Sequence, residues 1–203
     1  MKNPILVDLQ MPIVTENLII SPPKTGDGVI FFKAVEESYP TFEDAMPWTK
    51  IIRNEDDAEE FVRESEANWI LKKDIEPYLP LFIYRKDNML LLGIIGFHHV
   101  NWHVPSLEIG YWLRRSQRGK GIMVEAVNAL TVYAFKEINV KRIEIRCDIL
   151  NIKSKAIPEK LGYQMEAVLK NHRISSYTSK LSDTLIYSRT DLEDLPLLDV
   201  NWK

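Results

Sequence analysis

Cysteine is almost absent from this chain of 203 residues, with Cys147 standing alone. A single thiol can form no intrachain disulfide, no cysteine-based metal cluster and no resolving-thiol pair, so redox chemistry is not expected. Long apolar runs are missing as well. No stretch reaches the roughly 20 residues that cross a bilayer, and the opening MKNPILVDLQ lacks the basic-then-apolar order of a secretory leader. We therefore expect no membrane association and a cytoplasmic location. An excess of positive charge is lacking too. The formal net charge of −3 argues against nucleic-acid binding, because neutralising phosphates calls for a strongly basic surface. Any anionic ligand must be met by a local basic cluster. Internal repeats, Gly/Ser linkers and low-complexity tracts are absent, and the eleven prolines are dispersed. Residues 1–203 are thus expected to form one domain, with 45% hydrophobic and 27% charged residues consistent with a substantial soluble core.

What is present reads as alternating extended and helical segments. Residues 17–20 form a first strand candidate, closed by Ser21, Pro22 and Pro23. Asp27 then stands where it can cap a helix over 28–37. The stretch 39–48 reads as loop. A second helix is expected over 54–73, where Glu55, Asp56 and Asp57 suit the positive helix start and Phe61, Ala67, Ile70 and Leu71 would form its buried stripe. Residues 81–85 and 89–99 form an antiparallel hairpin about Lys86, Asp87 and Asn88. In 106–113, Leu107, Ile109, Tyr111 and Leu113 alternate with Glu108, Gly110 and Trp112, giving one core face and one available face. Helix is predicted over 121–138, strand over 142–150, and a short helix over 154–161 ended by Gly162. Extended structure follows from Tyr163, and 183–189 closes the sheet. The order implies an α/β (α+β) fold with a mixed sheet and helices on its faces.

The segment 107–151 carries the chemistry: the strand LEIGYWL, the loop RRSQRGKGI, a long helix, the strand RIEIRCDIL, and Asn151 opening another helix. Gly119 and Gly121 remove Cβ atoms that would block close backbone approach. The helix behind them aims its positive end at the loop, a geometry suited to a pyrophosphate. Arg114, Arg115, Arg118 and Lys120 concentrate positive charge there. The loop is neither a Walker P-loop nor GxGxxG, which disfavours a kinase or a nucleotide dehydrogenase.

This arrangement resembles the GNAT acetyltransferase family, whose acetyl-CoA motif Q/R-x-x-G-x-G/A is met by Arg118, Gly119, Lys120, Gly121, Ile122 and Met123, with Met123 departing at the last position. Asn151, Ser154, Glu159, Lys160, Leu161, Gly162 and Tyr163 resemble the family's second block, N-x-x-S…E-K-L-G-F/Y. Thr15, Glu16, Leu18, Met46, Pro47, Trp48, LEIGYWL, Asp183 and Tyr187 resemble the ribosomal-protein N-acetyltransferase (RimJ/RimL) branch. The resemblance implies a mixed sheet of about seven strands flanked by about four helices. It implies acetyl-CoA as co-substrate, no metal, and direct attack by a primary amine in a ternary complex. The acceptor it implies is a protein N-terminal amine, such as that of a ribosomal protein. A polyamine, amino sugar or aminoglycoside is the alternative, and a non-catalytic acyl-CoA-binding module is a rival of another class. Monomer and homodimer are both compatible.

The cofactor contacts that the resemblance implies are Trp112, Leu113, Arg118, Gly119, Lys120, Gly121, Ile122, Met123, Asn151 and Ser154, with a main-chain amide near Trp112 or Leu113 meeting the thioester carbonyl. Strand alternation leading into the loop makes Glu108 the candidate general base, against the alternative of a solvent-facing glutamate. Ser154 is the candidate acid, or a cofactor contact, or an early-helix serine satisfying backbone groups. Many members carry an acidic tyrosine further along this helix; Ile157, Pro158 and Glu159 stand there instead. The branch's carboxylate after the sixth strand is replaced by Asn171, His172 and Arg173. Cys147 is expected to be a buried structural thiol. His98, His99 and His103 read as hairpin or substrate-rim residues, because His98 and His99 should face opposite sides of a strand. Trp48 and Trp102 are candidates for the acceptor mouth.

Overall fold

The computed structural model describes residues 3–39, 51–72 and 77–203. The expectations for the loop 39–48, for Met46, Pro47 and Trp48, and for the end of the second helix at Lys73 lie wholly or largely outside them. A mixed sheet runs in the order β7-β8-β6-β5-β4-β3-β2-β1-β9. Its strands are β1 (Ile13–Val14), β2 (Leu18–Ser21), β3 (Leu79–Arg85), β4 (Leu91–Asn101), β5 (Ser106–Leu113), β6 (Arg142–Asp148), β7 (Gln164–Ile174), β8 (Leu181–Arg189) and β9 (Asn201–Trp202). The helices are α1 (Gly28–Glu36), α2 (Glu55–Leu71), α3 (Ile122–Tyr133) and α4 (Ile152–Lys160). The two-residue strands β1 and β9 raise the strand number above the seven expected. The segment 183–189 does not close the sheet: β8 lies inside it, and β7 forms that edge.

Helices cover both faces. On one, Phe31, Ala34 and Val35 of α1 and Ala58 and Val62 of α2 pack on Phe82, Ile94 and Trp112. On the other, α3 lays Ile122, Met123, Ala126, Val127 and Leu130 over Leu92, Ile95, Phe97, Leu107 and Ile109. Two-sided cover explains why every residue from Leu79 to Tyr84 and from Leu91 to Phe97 is buried instead of alternating. Each fully buried large aliphatic or Phe side chain contributes about 1.5–3 kcal/mol. For the same reason the face of β5 that the sequence leaves available is closed at Trp112, which is 5% exposed.

Local details depart from expectation. Asp27 does not cap α1: its carboxylate accepts from the Lys24 amide and the Tyr84 hydroxyl. The buried stripe of α2 is Ala58, Val62, Ser65 and Trp69, while Ala67, Ile70 and Leu71 face solvent and Phe61 is half-buried. Asn54 caps that helix by accepting the Asp57 amide. The helix over 121–138 is α-helical only through Tyr133, and Ala134–Ile138 forms a π turn ending at Asn139, φ 61°. The strand over 142–150 ends at Asp148.

One feature positions the site. β5 and β6 are the only parallel neighbours in the described sheet, and they pair only at Ser106↔Arg142, Leu107↔Ile143 and Glu108↔Glu144. Beyond Glu108 each continues with its other neighbour alone. β5 stays on β4 as far as Leu113↔Gly93, and β6 stays on β8 as far as Asp148↔Thr184. The two strands therefore part, and a cleft opens through the middle of the sheet.

Candidate active site

The cleft, about 450 Å³, is walled by residues 108–112 of β5 and 145–148 of β6 and floored by Asn151 and Ser154 of α4. Backbone geometry decides which β5 groups face it. The Arg114 amide donates to the Leu92 carbonyl at 2.8 Å. Because N–H and C=O directions alternate along a strand, those of Trp112 and Gly110 also point to β4, and those of Tyr111 and Leu113 point into the cleft. Of the two main-chain amides expected at the thioester, Leu113 has the right direction and Trp112 does not. Trp112 contributes its indole to the wall instead.

Glu108 lies where the strands begin to part. Its side chain is 17% exposed, so the solvent-facing alternative fails, and its Oε2 is 3.3 Å from Arg146 Nε and 4.0 Å from His99 Nε2. Burial raises its pKa above the ordinary carboxylate value, and Arg146 and His99 pull against that rise. His99 reaches this carboxylate because it sits in a bulge of β4 with φ 49°, which breaks the alternation expected for His98 and His99. His98 stacks on Tyr78, ring centroids 4.1 Å apart, and burial depresses its pKa to about 4, so it is neutral at physiological pH. Its ring fills the space over Gly110, where a Cβ would come within 2.5 Å of Nε2.

On the opposite face of β5, Tyr111 and Ser154 meet. The Ser154 hydroxyl donates to the Tyr111 hydroxyl at 3.2 Å, and the phenol donates to the Ser154 carbonyl at 3.0 Å. Asn151 fixes this corner by accepting the Ser154 amide at 3.0 Å as the cap of α4. Ser154 thus uses its amide for capping and keeps its hydroxyl for the phenol. Cys147 is buried as expected and also lines the cleft; burial pushes its thiol up to about 11.

The basic loop lies beyond Leu113. Gly119 and Gly121 hold φ of 77° and 78°, and a Cβ at either would meet nothing within 4 Å. Left-handed backbone, not crowding, demands glycine there, and the free space lets a ligand approach the backbone. Gly121 stands at the N-cap of α3, and among the described residues no side-chain cap bonds its first amides. The four cations do not act alike. Arg114 is bound to Glu37 of the α1 C-terminus, Nε to Oε2 2.5 Å, and Glu37 also accepts the Ser116 amide. Burial pushes the Glu37 pKa up, but the Ser116 and Arg114 contacts outweigh it and hold the group below the usual carboxylate range. Arg114 therefore braces the loop and is not available to a phosphate. Arg118 donates to the Leu113 carbonyl at 3.2 Å, and Lys120 donates to Gln117. Ile122 and Met123 both turn into the core, so the methionine adds its bulk beneath the helix and not in the loop. The start of α3 is tied to the β1–β2 turn, where Glu125 accepts from the Thr15 hydroxyl and from the Asn17 amide and side chain.

Other motif residues have structural work. Glu159 accepts the Tyr187 hydroxyl at 2.8 Å, and Asp183 accepts the Asn171 amide and Lys170. Trp102 packs against the core and does not line the cleft. Sequence reasoning missed Tyr111 as a hydroxyl donor, and Arg146, Arg173, Ser176 and Tyr177 as lining residues. For Tyr111 a signal existed in the core-facing phase of its strand, which points it at the helix carrying Ser154. Among the described residues, no group of three His, Cys, Asp or Glu side chains converges as a metal site would require.

The model of the acetyltransferase (GNAT) domain matches residues 17–164. The chain belongs to the GNAT acetyltransferase family. Among GNAT relatives, the ribosomal-protein-serine acetyltransferase of Escherichia coli (strain K12) is 28% identical over 126 residues, 62% of this chain and 67% of that protein. The N-acetyltransferase YjdG of Bacillus subtilis (strain 168) is 35% identical over 95 residues, 47% of this chain and 54% of that protein. The chain thus spans about half to two thirds of the length of these curated relatives. Among solved GNAT structures, the microcin C7 self-immunity acetyltransferase MccE in complex with acetyl-CoA and AMP has a TM-score of 0.76 at 26% identity, covering 87% of this chain and 93% of that one. RimL, the ribosomal L7/L12 alpha-N-protein acetyltransferase in complex with coenzyme A, has a TM-score of 0.77 at 17% identity over 88% and 97% of the two chains, and shows the shared fold. Among the described residues, no helix is long and apolar enough to cross a membrane.

Proposed function

We propose that this protein is an acetyl-CoA-dependent N-acetyltransferase acting on a primary amine, chiefly the α-amine of a peptide or protein N-terminus. The observation that carries the reading is the pairing of a buried carboxylate, Glu108, with the Tyr111–Ser154 hydroxyl pair across the cleft where β5 and β6 part. Acetyl-CoA fits the residues present. Gly119 and Gly121 leave room for a pyrophosphate at the uncapped start of α3, with Arg118, Lys120, Ile122 and Met123 along the same turn, and the inward amides of Tyr111 and Leu113 suit a carbonyl. Asn151 holds the α4 corner beside the thioester end.

The chemistry follows from the pKa values. An α-amine with a pKa of about 8 is largely protonated at neutral pH and must lose a proton before its lone pair attacks. Glu108, its basicity raised by burial, takes that proton directly or through a water. The amine nitrogen bonds to the acetyl carbon and the carbon–sulfur bond breaks; the departing thiolate takes the Ser154 hydroxyl proton as that hydroxyl turns from its bond to Tyr111, and the serine oxygen regains a proton, through water, from the one the new amide nitrogen sheds. No enzyme-bound acyl group is required, and Cys147, a protonated thiol at neutral pH, takes no part.

The reading is tested by CoA-thiol release from acetyl-CoA with no acceptor, with N-terminal peptides, and with polyamines and aminoglycosides. Release dependent on peptides is the expected outcome. Release only with small amines would move the acceptor to that class, and binding of acetyl-CoA with no release in any arm would leave an acyl-CoA-binding module.

A further inference from the structure

Four ionisable side chains of ordinary acidic or strongly basic character line the cleft, and three of them have short-range partners. Glu108 meets Arg146 at 3.3 Å, and Arg146 also grips Glu144 at 2.8 Å. Asp148, 4% exposed, accepts the Leu150 amide at 2.9 Å and the Ser182 hydroxyl at 2.8 Å. Arg173 differs. It lines the cleft yet forms no ion pair among the described residues, and it acts on Glu108 and Asp148 only through space.

Its position is built by the backbone. Between Leu169↔Thr184 and Arg173↔Ser182 the β7–β8 register slips by two residues, with Asn171 at φ 49°. The bulge is pinned by the Asn171 amide donating to Asp183 at 3.0 Å and by His172 Nδ1 lying 3.1 Å from the Thr184 hydroxyl. Past it, the β7–β8 turn brings Ser176 and Tyr177 into the lining of the cleft as well. The cleft therefore presents a guanidinium with two hydroxyls within electrostatic reach of Glu108, the proposed base, and among the described residues no carboxylate forms an ion pair with that guanidinium.

We infer that Arg173, with Ser176 and Tyr177, anchors an anionic group, a carboxylate or a phosphate, that the acceptor carries close to its reactive amine. This deepens the acetyltransferase reading and rests on it. A guanidinium fork matches both anions. At a hydrated rim such a contact acts mainly on selectivity and on KM, because it binds ground state and transition state alike. Acceptors with an acidic side chain beside the N-terminus, or amines bearing a phosphate, are favoured, and polycationic amines are disfavoured.

The test is kcat/KM for peptides differing only in a second residue of Glu, Ala or Lys, with O-phosphoethanolamine as a phosphate-bearing amine. Expected is a preference of at least about tenfold for Glu over Lys, carried in KM. Arg173→Glu should invert that order, Arg173→Lys should keep its direction, and raised salt should compress it. Unchanged melting temperatures would show that the variants fold. A stronger response to the phosphate-bearing amine than to the Glu peptide names phosphate as the natural group, and the reverse names a carboxylate. Turnover without charge preference, or a preference that Arg173→Glu leaves intact, overturns this inference while the acetyltransferase reading stands. Acetyl-CoA binding without turnover of any amine overturns that reading and the inference with it.

Discussion

The hydroxyls of Tyr111 and Ser154 lie 3.2 Å apart, and the phenol in turn donates a hydrogen bond to the Ser154 carbonyl 3.0 Å away. Serine, tyrosine and main chain thus form a directed chain of donors between β5 and α4. The helix position where many family members carry a tyrosine holds Ile157 and Pro158 here, and a tyrosine from the neighbouring strand reaches the same helix.

Ser154→Ala is expected to lower kcat by about 10²-fold or more, the range for loss of a positioned proton donor, with acetyl-CoA affinity little changed. Tyr111→Phe should give a smaller loss in kcat and cost about 1 kcal/mol of stability for the missing hydrogen bond. Steady-state kinetics with calorimetric binding separates these effects. An unchanged kcat in Ser154→Ala would remove the hydroxyl from the proton path.

With Glu108 as the proposed base, its raised pKa should set an acidic limb of the rate profile. The carboxylate must be ionised to act, so kcat/KM should fall as pH drops through a value above the ordinary 4.5. Glu108→Gln should abolish that limb and reduce turnover by about 10²–10⁴-fold. Arg146→Met removes a charge that favours the ionised form and should shift the limb to higher pH. A profile identical in wild type and Glu108→Gln would dismiss this base.

Gly121→Val should weaken acetyl-CoA by at least about tenfold, since a branched side chain would project into the space beside the α3 start and a left-handed φ strains a residue with a Cβ by about 1–2 kcal/mol. The protein should still fold, because an added Cβ meets no protein atom there. Titration calorimetry and a melting curve check both halves, and undiminished affinity would take the pyrophosphate away from this turn.

Cys147 offers a pH test of the cleft's interior. Its folded pKa of about 11 lies above the 9.0 of an exposed thiol. The protonated thiol therefore favours the fold. That contribution is complete below pH 9 and is lost as pH rises toward 11. In denaturant unfolding between pH 8 and pH 11, wild type should lose more stability than Cys147→Ala over this window. Parallel pH dependences in the two proteins would contradict the burial assigned to the thiol.

Much of this was legible in the sequence. The span of β5 and the presence of the hairpin β3–β4 follow from alternation and turn residues, and residue type marked the left-handed turns at Gly119 and Gly121 and the helix start at Asn151. What failed did so for identifiable physical reasons. The charged face of α2 admits more than one buried stripe, and contact with the sheet selected the one through Val62 and Trp69. The partnership of Arg114 with Glu37 joins residues 77 positions apart, and local pattern carries no trace of it. His99 and Arg173 depend on bulges, which shift strand phase at points that polar residues such as Asn171 do not mark uniquely.

The parting of β5 from β6 has a consequence for how the molecule holds itself together. Past Glu108, the inward amides of Tyr111 and Leu113 form the border of a seam, with no strand opposite them among the described residues. On the proposed reading, a substrate that lies along this border and accepts their hydrogen bonds would serve as a transient stave between the two halves of the sheet. On that reading reactant and scaffold share one set of bonds, and a ligand that binds only the folded protein there stiffens the sheet as it binds.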